Sequence, residues 1–257
     1  MNDTPLRFIT AGFAADPGLD IALSRALLLR ASDDEIPETF RLNQPGRVVA
    51  FGRRDTIAPG YPAAVAAARD AGFEAVERLA GGRAAVFHEG TLAFSWTIPE
   101  DDPRRGIHER FCALAQLLVS AFADLSISAE IGEIPGEYCP GEYSINIGCA
   151  IKVMGVGQRL ARNAAHIGGV IVVSCGSLVR NVLEPVYREL DLPWQPSTAG
   201  ALQDANPTIT SHEVVAAIAA RLATSRPVVP SPLEPKTLAL GRRLAPEHIA
   251  PSGGGAG

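Results

Sequence analysis

The sequence predicts an α/β protein built around one core, and three observations carry that expectation. Segments with helical periodicity alternate with strand-like runs along the chain. A content of 47% apolar and 20% charged residues is that of a soluble globular domain. A length of 257 residues suits one sizeable core, since single α/β domains often exceed the usual domain size.

Asp16 as N-cap, Pro17 at the first helical position and the spacing Leu19, Leu23, Leu27 predict a first helix ending near Arg30. Residues 39–43 and 48–51 read as short strands around the turn signal Gln44-Pro45-Gly46. The alanine-rich run 62–71 predicts a helix closed by Gly72. Residues 73–79 and 84–87 read as strands joined through Gly81-Gly82, and 91–98 alternates in strand fashion.

A helix of about five turns is expected over 107–125, with strands over 126–131 and 143–147. Between those strands, Pro135, Gly136, Pro140 and Gly141 mark residues 132–142 as a loop, a common place for function. Strands are expected at 150–154 and 166–174, the second nearly all apolar and therefore central, with a glycine-bearing turn between them. Thr210 with Glu213 has capping-box spacing and starts a helix to about Ala223. Prolines then accumulate, a short helix fits 236–244, and the glycine-rich tail is expected to be disordered. These signals divide the chain into a domain over 1–225 and a Pro/Gly-rich extension over 226–257.

A net charge of −5 excludes broad charge-driven binding to nucleic acid or anionic membranes. No apolar run reaches the ~18 residues of a membrane span and no signal-peptide pattern opens the chain, so a cytoplasmic location is expected. The four cysteines, Cys112, Cys139, Cys149 and Cys175, form no CxxC pair or zinc-type cluster, which leaves reduced thiols and no metal site. Cys112, Cys149 and Cys175 lie in apolar stretches where a buried thiol is the common case.

The segment from Glu77 to His88 packs Arg78, Gly81, Gly82, Arg83 and His88 into one strand-turn-strand unit. Glycines there let a ligand approach main-chain N–H groups, and a guanidinium offers a fork of donors to a carboxylate or phosphate. An ordinary hairpin needs the same glycines. Lysine occurs only at Lys152 and Lys236, so Lys152 in an apolar strand just before Gly155 suggests a specific ammonium role; an edge-strand lysine reaching solvent is the other reading.

Arg78, Gly81-Gly82, Val86 and His88, followed by a strand and then by Lys152, Gly155 and Gln158, resemble the lipoate/octanoate branch of the biotin and lipoate protein ligase superfamily. The resemblance implies a single biotin/lipoate-ligase-like domain of α+β type: a mixed, mainly antiparallel sheet flanked by helices, with a hydrophobic acyl tunnel beside the glycine pair. It further implies that Arg78, Gly81, Gly82, Arg83, His88 and Gly155 bind substrate and that Lys152 contacts the activated carbonyl. Two departures stand out: Glu77 replaces the first arginine of the family's pair, and Arg83 stands where ligases usually carry a third glycine.

Within that resemblance three functions compete. An acyltransferase would pass an octanoyl or lipoyl group, without a cofactor, from acyl carrier protein to a lysine of a lipoyl domain, in a 2-oxoacid dehydrogenase or the glycine-cleavage H protein. Cys139, in the Pro/Gly loop, is its expected thioester nucleophile. An ATP-dependent ligase would use ATP and Mg2+ to form lipoyl-AMP, relying on Lys152 without a covalent cysteine. A non-catalytic acyl- or carrier-binding homologue is the third. Arg83 and the absence of a separate C-terminal domain after Ser174 favour transfer, and Arg78, Arg83, Arg159 and Arg162 are the expected docking face for an acidic carrier.

Overall fold

The computed structural model describes residues 4–251. The main sheet has eight strands: β1 (Leu6–Ile9), β2 (Thr39–Asn43), β6 (Thr91–Pro99), β7 (Glu130–Ile131), β8 (Ile145–Ile147), β9 (Ile151–Leu160), β10 (Ala164–Val172) and β11 (Val228–Pro230). They lie in the order β11-β1-β2-β6-β10-β9-β8-β7. The β11/β1 and β1/β2 pairs are parallel and the others antiparallel, so the sheet is mixed and mainly antiparallel. A second sheet, β4-β3-β5, comprises β3 (Val48–Phe51), β4 (Glu74–Glu77) and β5 (Ala85–Phe87).

The seven α-helices among the described residues are α1 (Pro17–Ser32), α2 (Arg53–Thr56), α3 (Tyr61–Asp70), α4 (Ile107–Asp124), α5 (Gly176–Glu189), α6 (Ser211–Ala223) and α7 (Pro235–Leu244). Alternation along the strands divides the side chains of the main sheet. Phe40, Leu42, Leu92, Phe94, Ile167 and Ile171 point to one face, where α4 and α6 cover them with Leu114, Leu118, Val214 and Ile218. The opposite face meets α1 and the small sheet, which is itself covered by α3 and α5, packed side by side, through Ala64, Val65, Val179, Val182 and Val186.

Several boundaries differ from expectation for local reasons. Residues 77–88 are not a hairpin: β4 runs parallel to β3 on one side and β5 antiparallel on the other. The glycine loop therefore crosses the end of β3 instead of turning back on its own strand. The turn expected after Met154 is strand, because β9 continues to Leu160 against β10. Gly155 and Gly157 there serve close packing and not a change of direction.

Asp16 caps α1 by accepting from Leu19 N–H at 3.1 Å, and Thr210 with Glu213 closes the capping box of α6. Beyond residue 225 the chain rejoins the fold. β11 adds to β1, α7 packs on α1 through Leu240 and Leu244, and Ala250 N–H donates to Ala75 O at 3.0 Å. The expected disordered tail, 252–257, lies outside the described residues.

Candidate active site

The loop after β4 and the Pro/Gly loop before β8 meet at Cys139. Its Sγ accepts from the main-chain N–H of Arg83 at 3.1 Å and from Arg78 Nη2 at 3.3 Å. Arg78 Nη2 also donates to Arg83 O at 2.7 Å, which ties the start of the glycine loop to its end. Cys139 has φ +43, a left-handed conformation uncommon for a residue with a side chain. Burial pushes its thiol pKa up, but Arg78, Lys152 and the Arg83 N–H outweigh burial and leave the thiol below its ordinary value.

The two glycines differ in what they permit. Gly82 has φ +101, and a Cβ there would sit 2.8 Å from Cys139 Sγ and against the Arg78 guanidinium. A Cβ on Gly81 would meet nothing within 4 Å. Both line an open groove of about 540 Å³ that Cys139 faces, walled by Ile107, Phe111, Tyr143 and Val156. The N–H groups of Gly81 and Gly82 donate to no other described residue, which leaves two main-chain donors in the loop that meets Cys139.

Lys152 lies under the loop that carries Cys139. It is 1% exposed, and its Nζ donates to Glu137 Oε1 at 2.8 Å, Tyr138 O at 2.9 Å and Cys139 O at 2.7 Å. An ammonium has three N–H donors, so all three are committed. These contacts hold the loop carrying Cys139. A register shift creates this placement: Ile145 pairs with Met154 while Asn146 pairs with Lys152, leaving Val153 as a bulge residue. Gly155 completes it, because a Cβ there would come within 3.3 Å of Lys152 Cε.

Glu137 is itself buried and also accepts from Ser144 Oγ at 2.6 Å, Gly141 N–H at 3.2 Å and Ile134 N–H at 3.1 Å. A second clamp comes from Tyr187. Its hydroxyl accepts from Cys139 N–H at 2.8 Å and donates to Ala84 O at 3.0 Å. Neither Glu137 nor Tyr187 belongs to a motif visible in the sequence. The apolar spacing Val179, Val182, Leu183, Val186 marks α5 as a packed helix, and Tyr187 is the polar-tipped residue on its buried side.

The remaining expected residues separate. Arg83 turns away from the groove toward Asp55 Oδ1 at 3.2 Å and Arg54 O at 3.1 Å. Asp55 is fully buried; burial raises its pKa, against the pull of the Gly52 N–H and Arg83. His88 is not brought to the groove: its ring is fully buried, and Nδ1 accepts from Gly90 N–H at 3.0 Å in the turn before β6. Burial lowers its pKa, which keeps it neutral. Glu77 accepts from Tyr61 Oη at 3.0 Å. Cys149 and Cys175 are exposed, because each occupies a left-handed turn position and not a strand or helix interior; Cys112 is half-buried.

Behind the glycine loop lies a narrow cavity of about 70 Å³ between α1 and the main sheet, with Arg78, Leu79 and Ala80 at its near end. The loop is the common wall of cavity and groove, and it can sit low because a Cβ on Gly157 would meet Ala80 Cβ at 3.0 Å. The cavity floor follows a transverse row of directly opposed residues: Gly157, Gly168, Ser95 and Arg41. Three inter-strand steps of about 4.8 Å make that row roughly 14 Å long. The cavity, expected to be hydrophobic, has a mainly apolar lining, with Asp20, Arg41, Asn43, Ser95 and His166 set among Ile21, Phe87, Ala93 and Phe94.

A sequence model described as the lipoyl protein ligase A/B catalytic domain matches residues 16–223. An octanoyl-[GcvH]:protein N-octanoyltransferase of Geobacillus kaustophilus is 31% identical over 161 residues, 63% of this chain and 56% of the relative. A lipoyl-[GcvH]:protein N-lipoyltransferase of Listeria monocytogenes is 29% identical over 123 residues, 48% of this chain and 44% of the relative. The chain thus spans about half the length of the curated relatives it matches. A crystal structure of lipoate-protein ligase A bound with ATP superposes with a TM-score of 0.77 at 17% identity, covering 95% of each chain. A putative lipoate protein ligase from T. acidophilum, Ta0514, gives 0.73 at 17% identity over 95% of each. At these identities the likeness is one of fold.

Proposed function

Because the chain belongs to the lipoyl protein ligase A/B catalytic domain family, we propose that it is an acyltransferase that moves an octanoyl- or lipoyl-type group through a thioester on Cys139. The acceptor is the ε-amino group of a lysine on a lipoyl domain. The observation that carries this reading is the setting of the thiol: Cys139 lines the groove, and its Sγ is held by the Arg83 N–H and Arg78 and has a lowered pKa.

In the first step the Cys139 thiolate attacks the acyl carbonyl, and the N–H groups of Gly81 and Gly82 receive the developing oxyanion. The acyl–donor bond breaks and the donor heteroatom leaves with a proton. In the second step the partner's neutral amine attacks the thioester, an amide forms as the C–S bond breaks, the amine's proton passes to solvent, and the thiolate returns. Lys152 serves as a positioning residue that fixes the Cys139 main chain and biases the thiol toward its anion.

The names of the relatives put the octanoyl group on GcvH, and one fold neighbour is titled with its E2 lipoyl domain. We take a lipoyl-domain carrier of this kind as donor or acceptor, with acyl carrier protein as the other donor to be assayed. No helix of the described residues is long and apolar enough to cross a membrane, and the proposed place of action is the cytoplasm.

The ATP-dependent alternative fits these residues less well. Its lysine would need a free ammonium, yet Lys152 is enclosed with three committed donors. The position of a third glycine holds Arg83, paired with Asp55. We therefore assign no step to ATP or Mg2+.

The test is incubation with octanoyl-GcvH and with octanoyl-acyl carrier protein, followed by intact-mass analysis. An octanoyl increment on Cys139 that chases onto a lipoyl domain is expected. Undiminished, ATP-dependent acylation by Cys139→Ala protein would replace this reading with the ligase one, and acyl binding without turnover with the non-catalytic one.

A further inference from the structure

The short helix α2 sits against the glycine loop, and its outer surface carries charge that nothing in the chain matches. A Cβ on Gly52, the residue before α2, would strike Gly82 O, and Arg83 Nη1 donates to Asp55 Oδ1 at 3.2 Å and to Arg54 O at 3.1 Å. The main-chain N–H of the same Arg83 donates to Cys139 Sγ, so α2 lies one arginine side chain from the thiol. Arg53 and Arg54 are exposed, and neither side chain bonds to another described residue. Ile57, which follows α2, is 72% exposed, the most of any large apolar side chain among the described residues.

Arg53 also lines an open pocket of about 510 Å³ between α2, the glycine loop and β9. Four arginines, Arg25, Arg53, Arg78 and Arg159, share its wall with two carboxylates, Glu77 and Glu247. Arg25 is matched by Glu247 at 2.7 Å, and Arg78 is turned to Cys139 Sγ. Arg159 is exposed and bonds to no other described residue, which leaves it and Arg53 as unmatched cations on a chain of net charge −5. Arg162, expected in the same docking face, lies elsewhere: it shares a pocket with Arg104, Asp101 and Asp102, where the charges balance. The groove that Cys139 lines contributes Glu142 and no cation.

Resting on the acyl-transfer reading above, we propose that α2, Ile57 and the Arg53–Arg159 pocket form the docking surface for the carrier domain whose lysine enters the reaction. The carrier meets it with an acidic patch. Charge complementarity sets that chemistry: the field of the whole chain repels an acidic domain, and the sign reverses at these two arginines, whose planar forks suit carboxylates. An exposed isoleucine beside arginines has the make-up of a small docking surface, an apolar contact with a charged rim. The position fits as well. The glycine loop has Arg78 and Leu79 on the pocket and Gly81 and Gly82 on the groove, so a domain seated on α2 reaches across one loop to bring its lysine to Cys139.

Arg53→Glu combined with Arg159→Glu reverses both unmatched charges at exposed positions. Cys139 loading is followed by intact mass from two donors, octanoyl-GcvH and the octanoyl N-acetylcysteamine thioester. At low salt kcat/KM for octanoyl-GcvH should fall on the order of tenfold or more, while the small thioester loads as before. Rising ionic strength should bring wild type and variant together, because exposed charges are screened. Ile57→Ser, which changes no charge, should lower octanoyl-GcvH loading at every salt concentration. Unchanged octanoyl-GcvH loading in the charge-reversed protein or in Ile57→Ser, or an equal fall with both donors, overturns the proposal.

Loading of the wild-type protein reports on the parent reading, and the difference between wild type and variant on this one. Should either donor fail to load the wild-type protein, titration calorimetry of octanoyl-GcvH binding to wild-type and charge-reversed protein decides instead. Weaker binding by the variant supports the proposal, and equal binding, or none by either protein, refutes it.

Discussion

Replacing Lys152 with methionine keeps much of the side-chain length and removes the charge. It leaves the Tyr138 and Cys139 carbonyls without their donor and Glu137, 3% exposed, without its cation. Breaking one partner of a buried ion pair costs about 3–5 kcal/mol. For a domain of this size that is a Tm loss of roughly 6–20 °C, at about 2–4 °C per kcal/mol. Adding Glu137→Gln removes the stranded charge, so the double variant should recover part of the loss, as thermal unfolding of all four proteins in a double-mutant cycle measures.

The same variants separate two roles for the lysine. Alkylation of Cys139 by iodoacetamide forms no oxyanion, so a lysine that only stabilises one would leave the alkylation rate unchanged. A lysine that positions the loop and lowers the thiol pKa slows alkylation at neutral pH when it is lost. A stability loss under about 1 kcal/mol, well short of the buried-pair range, together with an unchanged alkylation rate, would refute the enclosed-lysine argument.

Three further outcomes follow from the geometry. Gly82→Ala places a Cβ against Sγ at a positive φ and should abolish acyl loading while the open site at Gly81 tolerates alanine, as intact mass distinguishes. The alkylation rate of Cys139 should fall on acidification with a midpoint below that of an ordinary thiol, because its folded pKa is lowered; Arg78→Met should move that midpoint upward. Tyr187→Phe keeps the ring but removes both hydroxyl bonds, leaving Cys139 N–H and Ala84 O unpaired; urea unfolding should show a loss of about 1–3 kcal/mol.

Local signals carried much of the fold. Proline and aspartate at the start of α1, the capping box of α6 and the alternation of β6 each act within a few residues, and the structure places those elements within a few residues of expectation. Pairing was less legible. Whether β4 and β5 pair with each other or flank β3 depends on a third strand distant in sequence, and the glycine pair is compatible with both. The candidate site divided in the same way. Cys139, Arg78 and Gly82 carry chemistry that residue type announces, whereas the direction of Lys152 depends on a bulge, and the Tyr187 clamp on the docking of α5. The three-residue edge strand β11 lies among prolines and pairs only with β1, a partner distant in sequence, so no local signal marks it.

The arrangement β4-β3-β5 ties the reactivity of the thiol to the completeness of folding. Arg78 follows a strand that must pair in parallel with β3, and Arg83 precedes one that must pair antiparallel on its other flank. Parallel, non-local pairing forms late and cannot be replaced by a local hairpin. A nascent or partly unfolded chain in which either ladder is missing has no meeting point for the two arginine contacts on Sγ, and its Cys139 behaves as a common, slow thiol. The chain thus acquires its nucleophile only when the small sheet is whole, so that an incompletely folded molecule is poorly able to capture an acyl group that it could not pass on.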